Sequence, residues 1–409
     1  MEAGVHHPFM ARSTRFCMAS AAIIIRDPGP APQTVFPDRR ILGMAHGPPH
    51  TGPERHNGAT GTAWERPGSG TGRTGNRTGI GWASMTWLIT GGAGYIGAHV
   101  ARAMAEAGER VVALDDLSSG VPNRLPESIP LVQGSSLDGD LLKRIFAEHA
   151  VTGVVHLAAR KQVGESVAQP TRYYLENVGG LATLLEAVAG AGIKRFLFSS
   201  SAAVYGNPDV DLITEDTPCV PMSPYGETKL AGEWLVRAAG RAHGIATVCL
   251  RYFNVAGAAT PELADTGVFN VIPMVFDRLT RDEAPRIFGD DYPTPDGTCV
   301  RDYIHVADLA EAHLAAARRL AEGATGDLTV NIGRGEGVSV RELLTLIGEV
   351  SADTRQPIVE PRRPGDAPRA VASAALAGQE LGWSARRGVR EMVESAWQGW
   401  LLHHPRTQD

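Results

Sequence analysis

A short apolar run, Trp87-Leu88-Ile89, is followed at once by three glycines spaced three apart, Gly91, Gly94 and Gly97. A helical pattern begins at Tyr95, takes Ile96 into its first turn and runs to about Ala107. A strand, a glycine turn and a helix in that order are what a dinucleotide pyrophosphate requires. Glycines let the backbone approach the phosphates, and the free N–H groups and positive dipole of a helix start favour an anion. A glycine triplet by itself also fits an ordinary tight turn. The next strand pattern, 110–114, narrows the choice because it ends in Asp115, eighteen residues after Gly97. A carboxylate there accepts from the free 2′-hydroxyl of an NAD ribose and repels a 2′-phosphate. The predicted cofactor is NAD.

From Met85 onward, strand and helix patterns alternate. Strands are expected at 131–133, 153–157, 195–199 and 247–252, with helices at about 137–149, 171–191 and 225–243. This alternation predicts an α/β fold, a Rossmann-like doubly wound parallel sheet with helices on both faces. Ligands of such sheets lie at the carboxyl ends of the strands. The segments of interest are therefore His156-Leu157-Ala158-Ala159, Ser199-Ser200-Ser201 and Arg251-Tyr252-Phe253-Asn254. After Gly257 the order loosens. Helices at 271–280, 306–320 and 338–351, with short strands near 286–288 and 328–332, predict a smaller mixed α/β C-terminal lobe. Residues 85–257 are thus assigned mainly to a cofactor domain and 258–409 mainly to a substrate lobe. In the last helix Val389, Met392, Val393, Ala396, Trp397, Trp400 and Leu401 recur at i, i+3, i+4 and are expected to pack inward.

Residues 1–84 read differently. They hold 13 Gly and 9 Pro and show no sustained period. Such a segment buries too little apolar surface to offset its ordering entropy, so a disordered extension is predicted, with the functional chain expected to begin at Met85. The segment carries +4, while the whole chain carries −6, which leaves −10 on residues 85–409. So acidic a body argues against nucleic acid as its ligand. Cys17, Cys219, Cys249 and Cys299 are far apart in sequence and show neither zinc spacing nor a disulfide framework. Together with the absence of any apolar run near the ~18 residues of a membrane span, this predicts a cytoplasmic protein without metal. The run 16–25 resembles a weak signal-peptide core, but no small-residue cleavage site follows it.

The residues best suited to chemistry are Ser201, Tyr225 and Lys229. Tyr225 and Lys229 are four apart at a helix start and share a face, with Pro224 suited to the first turn and Ser223 to the cap. A phenol of pKa near 10 is a poor base at neutral pH. A nearby ammonium and the positive nicotinamide ring would favour the phenolate, and Ser201 could bond a substrate hydroxyl and relay its proton. Taken alone, a Tyr-x-x-x-Lys pair is also common on ordinary helices; the glycine turn and serine run upstream give it meaning.

Gly91-Gly92-Ala93-Gly94-Tyr95-Ile96-Gly97, Phe198-Ser199-Ser200-Ser201-Ala202-Ala203-Val204-Tyr205-Gly206 and Pro224-Tyr225-Gly226-Glu227-Thr228-Lys229 resemble the extended short-chain dehydrogenase/reductase family. Arg160-Lys161-Gln162-Val163-Gly164-Glu165-Ser166, Arg251-Tyr252-Phe253-Asn254 and the run from Tyr292 through Arg301-Asp302-Tyr303-Ile304-His305-Val306 narrow the likeness to its UDP-glucose 4-epimerase (UDP-galactose 4-epimerase) branch. The resemblance covers essentially all of 85–409. It implies an NAD-dependent isomerase that inverts C4 of a UDP-hexose through a 4-keto sugar, with Tyr225 as acid and base. By position it assigns Asp115 to the adenosine ribose, Lys161 to the cofactor phosphates, Asn177 to the cofactor side of the cleft, and Asn254, Asn270, Arg301, Arg363 and Asp366 to the UDP. It also implies a homodimer formed through helices 171–191 and 225–243. His305 is left as a packing histidine.

The chain departs from that pattern in places. Ser135 and Ser136 stand after the third strand where an Asp is usual, Ala203 stands where Thr is frequent, and the loop 258–267 is short. Ala370 occupies the position of a size gate beside the sugar, which implies room for an N-acetyl group. Three other readings remain open: C4 epimerisation of UDP-N-acetylglucosamine, a UDP-pentose or UDP-glucuronate; a nucleotide-sugar 4,6-dehydratase; and a cofactor-sensing protein without catalysis. The dehydratase needs an acid and a base just after the serine run, where Ala202 and Ala203 stand. The sensor would be expected to lose Tyr225 or Lys229, and both are kept.

Overall fold

The computed structural model describes residues 85–363 and 365–405. The expectations for the extension 1–84, including Cys17, the apolar run 16–25 and a start at Met85, lie outside the described residues.

Seven parallel strands form the central sheet in the order Asp327–Ile332, Ala246–Tyr252, Arg195–Ser201, Gly153–His156, Thr86–Thr90, Arg110–Asp115 and Leu131–Gln133. The winding reverses between Thr86–Thr90 and Gly153–His156, so the doubly wound sheet is present and its switch point lies beside the glycine turn. Strands covered on both faces must be apolar on both faces, and the core divides accordingly. Trp87, Ile89, Val111, Ala113, Val155, Leu197, Val248 and Leu250 face one side, where they meet Val100 and Met104 of the helix Tyr95–Glu106 and Leu309 and Ala316 of the helix Val306–Ala321. Leu88, Val112, Leu114, Val154, Phe196, Phe198 and Cys249 face the other, against Leu142, Leu184, Val188 and Val236.

One strand pattern belongs elsewhere than its sequence neighbourhood indicates. The strand expected at 328–332 is not part of the smaller lobe. It forms the edge of the large sheet, pairing Leu328 with Val248 and Ile332 with Tyr252. The strand and the helix before it complete one more right-handed βα step, which the insertion of residues 257–305 hides in the sequence. The smaller lobe is built from Val300–His305, flanked by Gly337–Ser339 on one edge and Arg369–Ala370 on the other and paired further along with Asn254–Ala256, with the pair Arg286–Phe288 and Ile358–Glu360. All seven inward-facing positions expected of the last helix, Val389–His403, join its core with Phe276, Leu343 and Ile347.

Local sequence explains the helix ends that matter for the site. Pro224–His243 starts on Pro224, with the Ser223 hydroxyl accepting from the Gly226 N–H at 3.2 Å, and stops at Gly244 in the left-handed conformation. Val340–Ser351 starts two residues later than its pattern indicates, because Ser339 and Glu342 close a capping box. The helix expected over 171–191 is interrupted: Pro170–Tyr173 and Gly180–Gly190 are separated by a π-helical stretch, Tyr174–Gly179.

Candidate active site

The glycine turn is built by close approach. Gly91 has φ of +71°, and its N–H donates to the Leu114 carbonyl at 2.7 Å. A Cβ there would lie 2.8 Å from the Ala158 nitrogen. A Cβ on Gly97 would fall 2.0 Å from the Gly91 carbonyl oxygen, so helix and turn pack backbone on backbone. Gly94 caps the helix with no side chain in the way of its first N–H groups. Tyr95 and Ile96 open that helix, and the Tyr95 hydroxyl donates to the Gly257 carbonyl at 2.5 Å. Asp115 accepts from the Ala93 N–H at 3.0 Å and the Leu117 N–H at 2.9 Å. Burial raises its pKa, and those backbone bonds pull it back. A cradle that any Cβ would fill, closed by a carboxylate at the second strand's end, fits NAD. Gly97→Ala is expected to cost about 1–3 kcal/mol of stability through overpacking and to reduce the NAD that copurifies. Thermal denaturation and cofactor content would check both.

The interrupted helix serves the other wall of this pocket. Asn177, buried in the π-helical stretch, accepts the Arg160 N–H at 2.8 Å and donates to the Arg160 carbonyl at 3.0 Å and to Thr228 Oγ1 at 3.1 Å. It holds the loop that carries Lys161 and joins that loop to the helix of Tyr225. π-helical turns place side chains that a regular helix would misdirect. Lys161 itself is exposed. Ser135 uses its hydroxyl to accept from the Leu137 N–H at 3.2 Å.

Ser201, Tyr225 and Lys229 come together at the carboxyl end of Arg195–Ser201, as expected. Ser201 accepts the Ala203 N–H at 3.2 Å, and its hydrogen bond to Tyr225 draws the phenol's pKa down. Burial acts more strongly in the other direction, so the pKa of Tyr225 is raised. Lys229 is buried, and burial alone lowers its pKa to about 8. Its Nζ donates to the Ser199 carbonyl at 2.8 Å and lies 6.0 Å from the Tyr225 ring centroid. Within the protein, then, the pull on the phenol comes from Ser201 rather than from Lys229. Lys229 keeps two further donors for a ligand.

Asn254, Asn270, Arg301, Arg363 and Asp366 all line one cleft of about 760 Å³, together with Tyr95. Arg301 donates to the Ala367 carbonyl at 2.7 Å and lies 3.7 Å from Asp366; Arg363 donates to Asp366 at 3.0 Å. Asp366 thus holds both guanidinium groups in place. Asn254 donates to the Asp302 carbonyl at 3.0 Å. Ala370 packs with Ala202 over the cluster of Val204, Tyr205, Leu230 and Phe253, next to the serine turn. The lining residues of the cleft do not include Ser201, Tyr225, Lys229 or Ala370.

Sequence reading passed over several residues here. Phe288 lies under the Arg363 guanidinium, 4.7 Å from ring centroid to Cζ, and Phe269 is 56% exposed in the cleft. An aromatic beside an arginine on a short strand was the available signal for Phe288. Asp302 is fully buried and accepts three backbone N–H groups, from Arg334, Gly335 and Ala372; burial raises its pKa to about 6. His305 caps Val306–Ala321 by accepting the Ala307 N–H at 3.0 Å, and burial lowers its pKa to about 4. It is a structural histidine.

A glycine cradle at the switch point, a Ser/Tyr/Lys set at a neighbouring strand end and a separate cleft with two arginines define a nucleotide-binding α/β enzyme that works on a second, anionic ligand. The model of the NAD dependent epimerase/dehydratase family matches residues 87–333, and the chain belongs to that family. It is 44% identical over 329 residues to a UDP-glucose 4-epimerase of Streptomyces lividans, covering 80% of this chain and 99% of the relative. It is 46% identical over 310 residues to a UDP-glucose 4-epimerase of Azospirillum brasilense, covering 74% and 87%. Among solved structures it is similar to UDP-glucose 4-epimerase from Bifidobacterium longum in complex with NAD+ and UDP, with a TM-score of 0.73, 36% identity and coverage of 79% and 100%.

Proposed function

We propose that this enzyme interconverts UDP-glucose and UDP-galactose by inverting C4 of the sugar, with NAD held as a resident cofactor. The observation that carries the reading is the presence of Ser201, Tyr225 and Lys229 at one strand end together with a diphosphate-sized cleft lined by Arg301 and Arg363. Asp115, the glycine turn, Asn177 and Lys161 would hold the NAD, which supplies a hydride acceptor and donor at C4. Tyr225 takes the proton from the 4-hydroxyl and returns it, and Ser201 steers the hydroxyl by hydrogen bonding. Arg301 and Arg363 match the diphosphate oxygens as guanidinium forks, while Asn254 and Asn270 fix the nucleotide. Phe269 and Phe288 offer ring faces to the uracil. A firm grip on the diphosphate lets the 4-keto sugar turn over without leaving. The 3₁₀ turn Ala202–Val204 supplies no carboxylate, which favours epimerisation over dehydration. Incubation of the purified protein with UDP-galactose, with C4 inversion followed by NMR, tests the proposal; no conversion and no bound NAD would defeat it.

The small side chains of Ala203 and Ala370 support a wider sugar range. Turnover of UDP-N-acetylglucosamine alongside UDP-galactose is expected. Ala370→Tyr should reduce the acetylated reaction by about tenfold or more, the scale of a steric mismatch in a pocket, while keeping UDP-galactose turnover. Equal selectivity in both proteins would count against this role for Ala370. A homodimer is also proposed: Leu175 and Trp234 are 63% and 59% exposed on the two helices expected to be shared. No helix among the described residues is long and apolar enough to cross a membrane, and Cys219, Cys249 and Cys299 are free thiols. Both observations accord with the proposed cytoplasmic location.

A further inference from the structure

Arg124 takes no part in the chemistry above, yet its guanidinium is buried, at 6% exposure. It ends the short 3₁₀ turn Pro122–Arg124, which follows Asp115 in the cofactor half. A cation so placed costs free energy unless its donors are matched. Its Nη2 donates to the Ala264 carbonyl at 2.9 Å and to Thr266 Oγ1 at 3.4 Å, on either side of Asp265. Burial lowers the Arg124 pKa, and the negative charge of Asp265 opposes that. Asp265 accepts the Gly267 N–H at 3.1 Å and the Asn270 side-chain amide at 2.8 Å.

The same loop is fastened twice more to the cofactor helix. The Tyr95 hydroxyl donates to Gly257, and His99 Nε2 accepts the Ala259 N–H at 3.1 Å. His99 Nδ1 lies 2.8 Å from the Tyr95 carbonyl, which assigns the proton to that nitrogen, and burial lowers its pKa to about 4, so the ring stays neutral. Gly257, Asp265, Phe269 and Asn270, all on this loop, line the cleft.

We propose that Arg124 is a positioning residue for the nucleotide-sugar site: by bracketing Asp265 it fixes Asn270, so a residue of the cofactor half sets how tightly the cleft binds a uridine diphosphate. This rests on the reading of Asn270 as a nucleotide contact. The test compares NAD-loaded wild type, Arg124→Met, Arg124→Lys and Asp265→Asn. UDP affinity is read by calorimetry, kcat and KM with UDP-galactose, and NAD content on the same samples. Arg124→Met is expected to weaken UDP binding and raise KM about tenfold, the scale of one charge-assisted hydrogen bond. Its kcat should stay within about threefold and its NAD content unchanged, while Arg124→Lys recovers part of the affinity. Asp265→Asn leaves Arg124 its two neutral acceptors and removes the charge they bracket, so it tests the step from Asp265 to Asn270 even if Arg124→Met does not fold; the same affinity loss is expected. Wild-type UDP affinity in Asp265→Asn, or in folded Arg124→Met, overturns the proposal and leaves the epimerase reading intact. So does a joint fall of kcat, NAD content and thermal stability with KM unchanged. Failure of the wild type itself to bind UDP overturns both.

Discussion

Tyr225→Phe is expected to lower kcat for UDP-galactose by about 10²–10⁴-fold, the range a positioned acid–base group contributes, while NAD content and UDP affinity stay close to wild type. The substitution keeps the ring, so the helix start that Ser223 and Pro224 define is not disturbed. What it removes is the hydroxyl whose pKa Ser201 draws down against the effect of burial. Lys229 does not replace it. Its Nζ donates to the Ser199 carbonyl and lies 6.0 Å from the Tyr225 ring centroid, and burial lowers its pKa to about 8. Ser201→Ala should cost less, because the serine steers the hydroxyl but does not carry the proton. Steady-state kinetics with UDP-galactose, and NAD released on denaturation, separate the two effects. A Tyr225→Phe protein retaining more than a tenth of wild-type kcat would show that the phenol is not the acid–base group.

What could be read in advance depended on how local each feature is. The cap at Ser223, the glycine turn and the inward residues of the last helix are set within a few positions, and all appear as the pattern indicates. The separate residues Asn254, Asn270, Arg301, Arg363 and Asp366 have no shared spacing; only resemblance grouped them, and they do line one cleft. The strand Asp327–Ile332 was misplaced because its partner lies about eighty residues back, across an insertion that breaks the alternation. Arg124 gave no sign, since its acceptor Ala264 is 140 residues away and its burial arises only once both halves are folded. The π-helical stretch was equally hidden, because an amphipathic period survives one widened turn and nothing in it marks Asn177 as the residue that reaches Arg160.

Glu233→Ala is expected to destabilise the fold by about 3–5 kcal/mol, the cost of leaving one charge of a buried pair unmatched. Glu233 stands one turn after Lys229 and is fully buried. Arg251 reaches it from the neighbouring strand with two bonds of 2.7 Å, from Nε and Nη2. Burial works against the Arg251 charge, yet the Glu233 bonds and charge outweigh it and raise the pKa above its ordinary value. The pair also closes a polar network. Ser200 donates to Glu233 at 2.6 Å, Arg251 to the Tyr205 hydroxyl at 2.8 Å, and Tyr205 to Asn331 at 2.7 Å. Two strand ends and the helix of Tyr225 therefore meet on one carboxylate beside the serine run, with the strand of Asn331 linked to it through Tyr205 and Arg251, and its loss should also scatter the serine run and lower kcat. Replacing both members, Glu233→Met with Arg251→Met, removes the unmatched charge, so the double variant should lose less than the sum of the two single losses. Urea denaturation of the wild type, the two single Met variants and the double variant, with Glu233→Ala beside them, measures this directly. A Glu233→Ala loss below about 1 kcal/mol, the level of an exposed pair, would mean that the network is not what holds the serine strand to the catalytic helix.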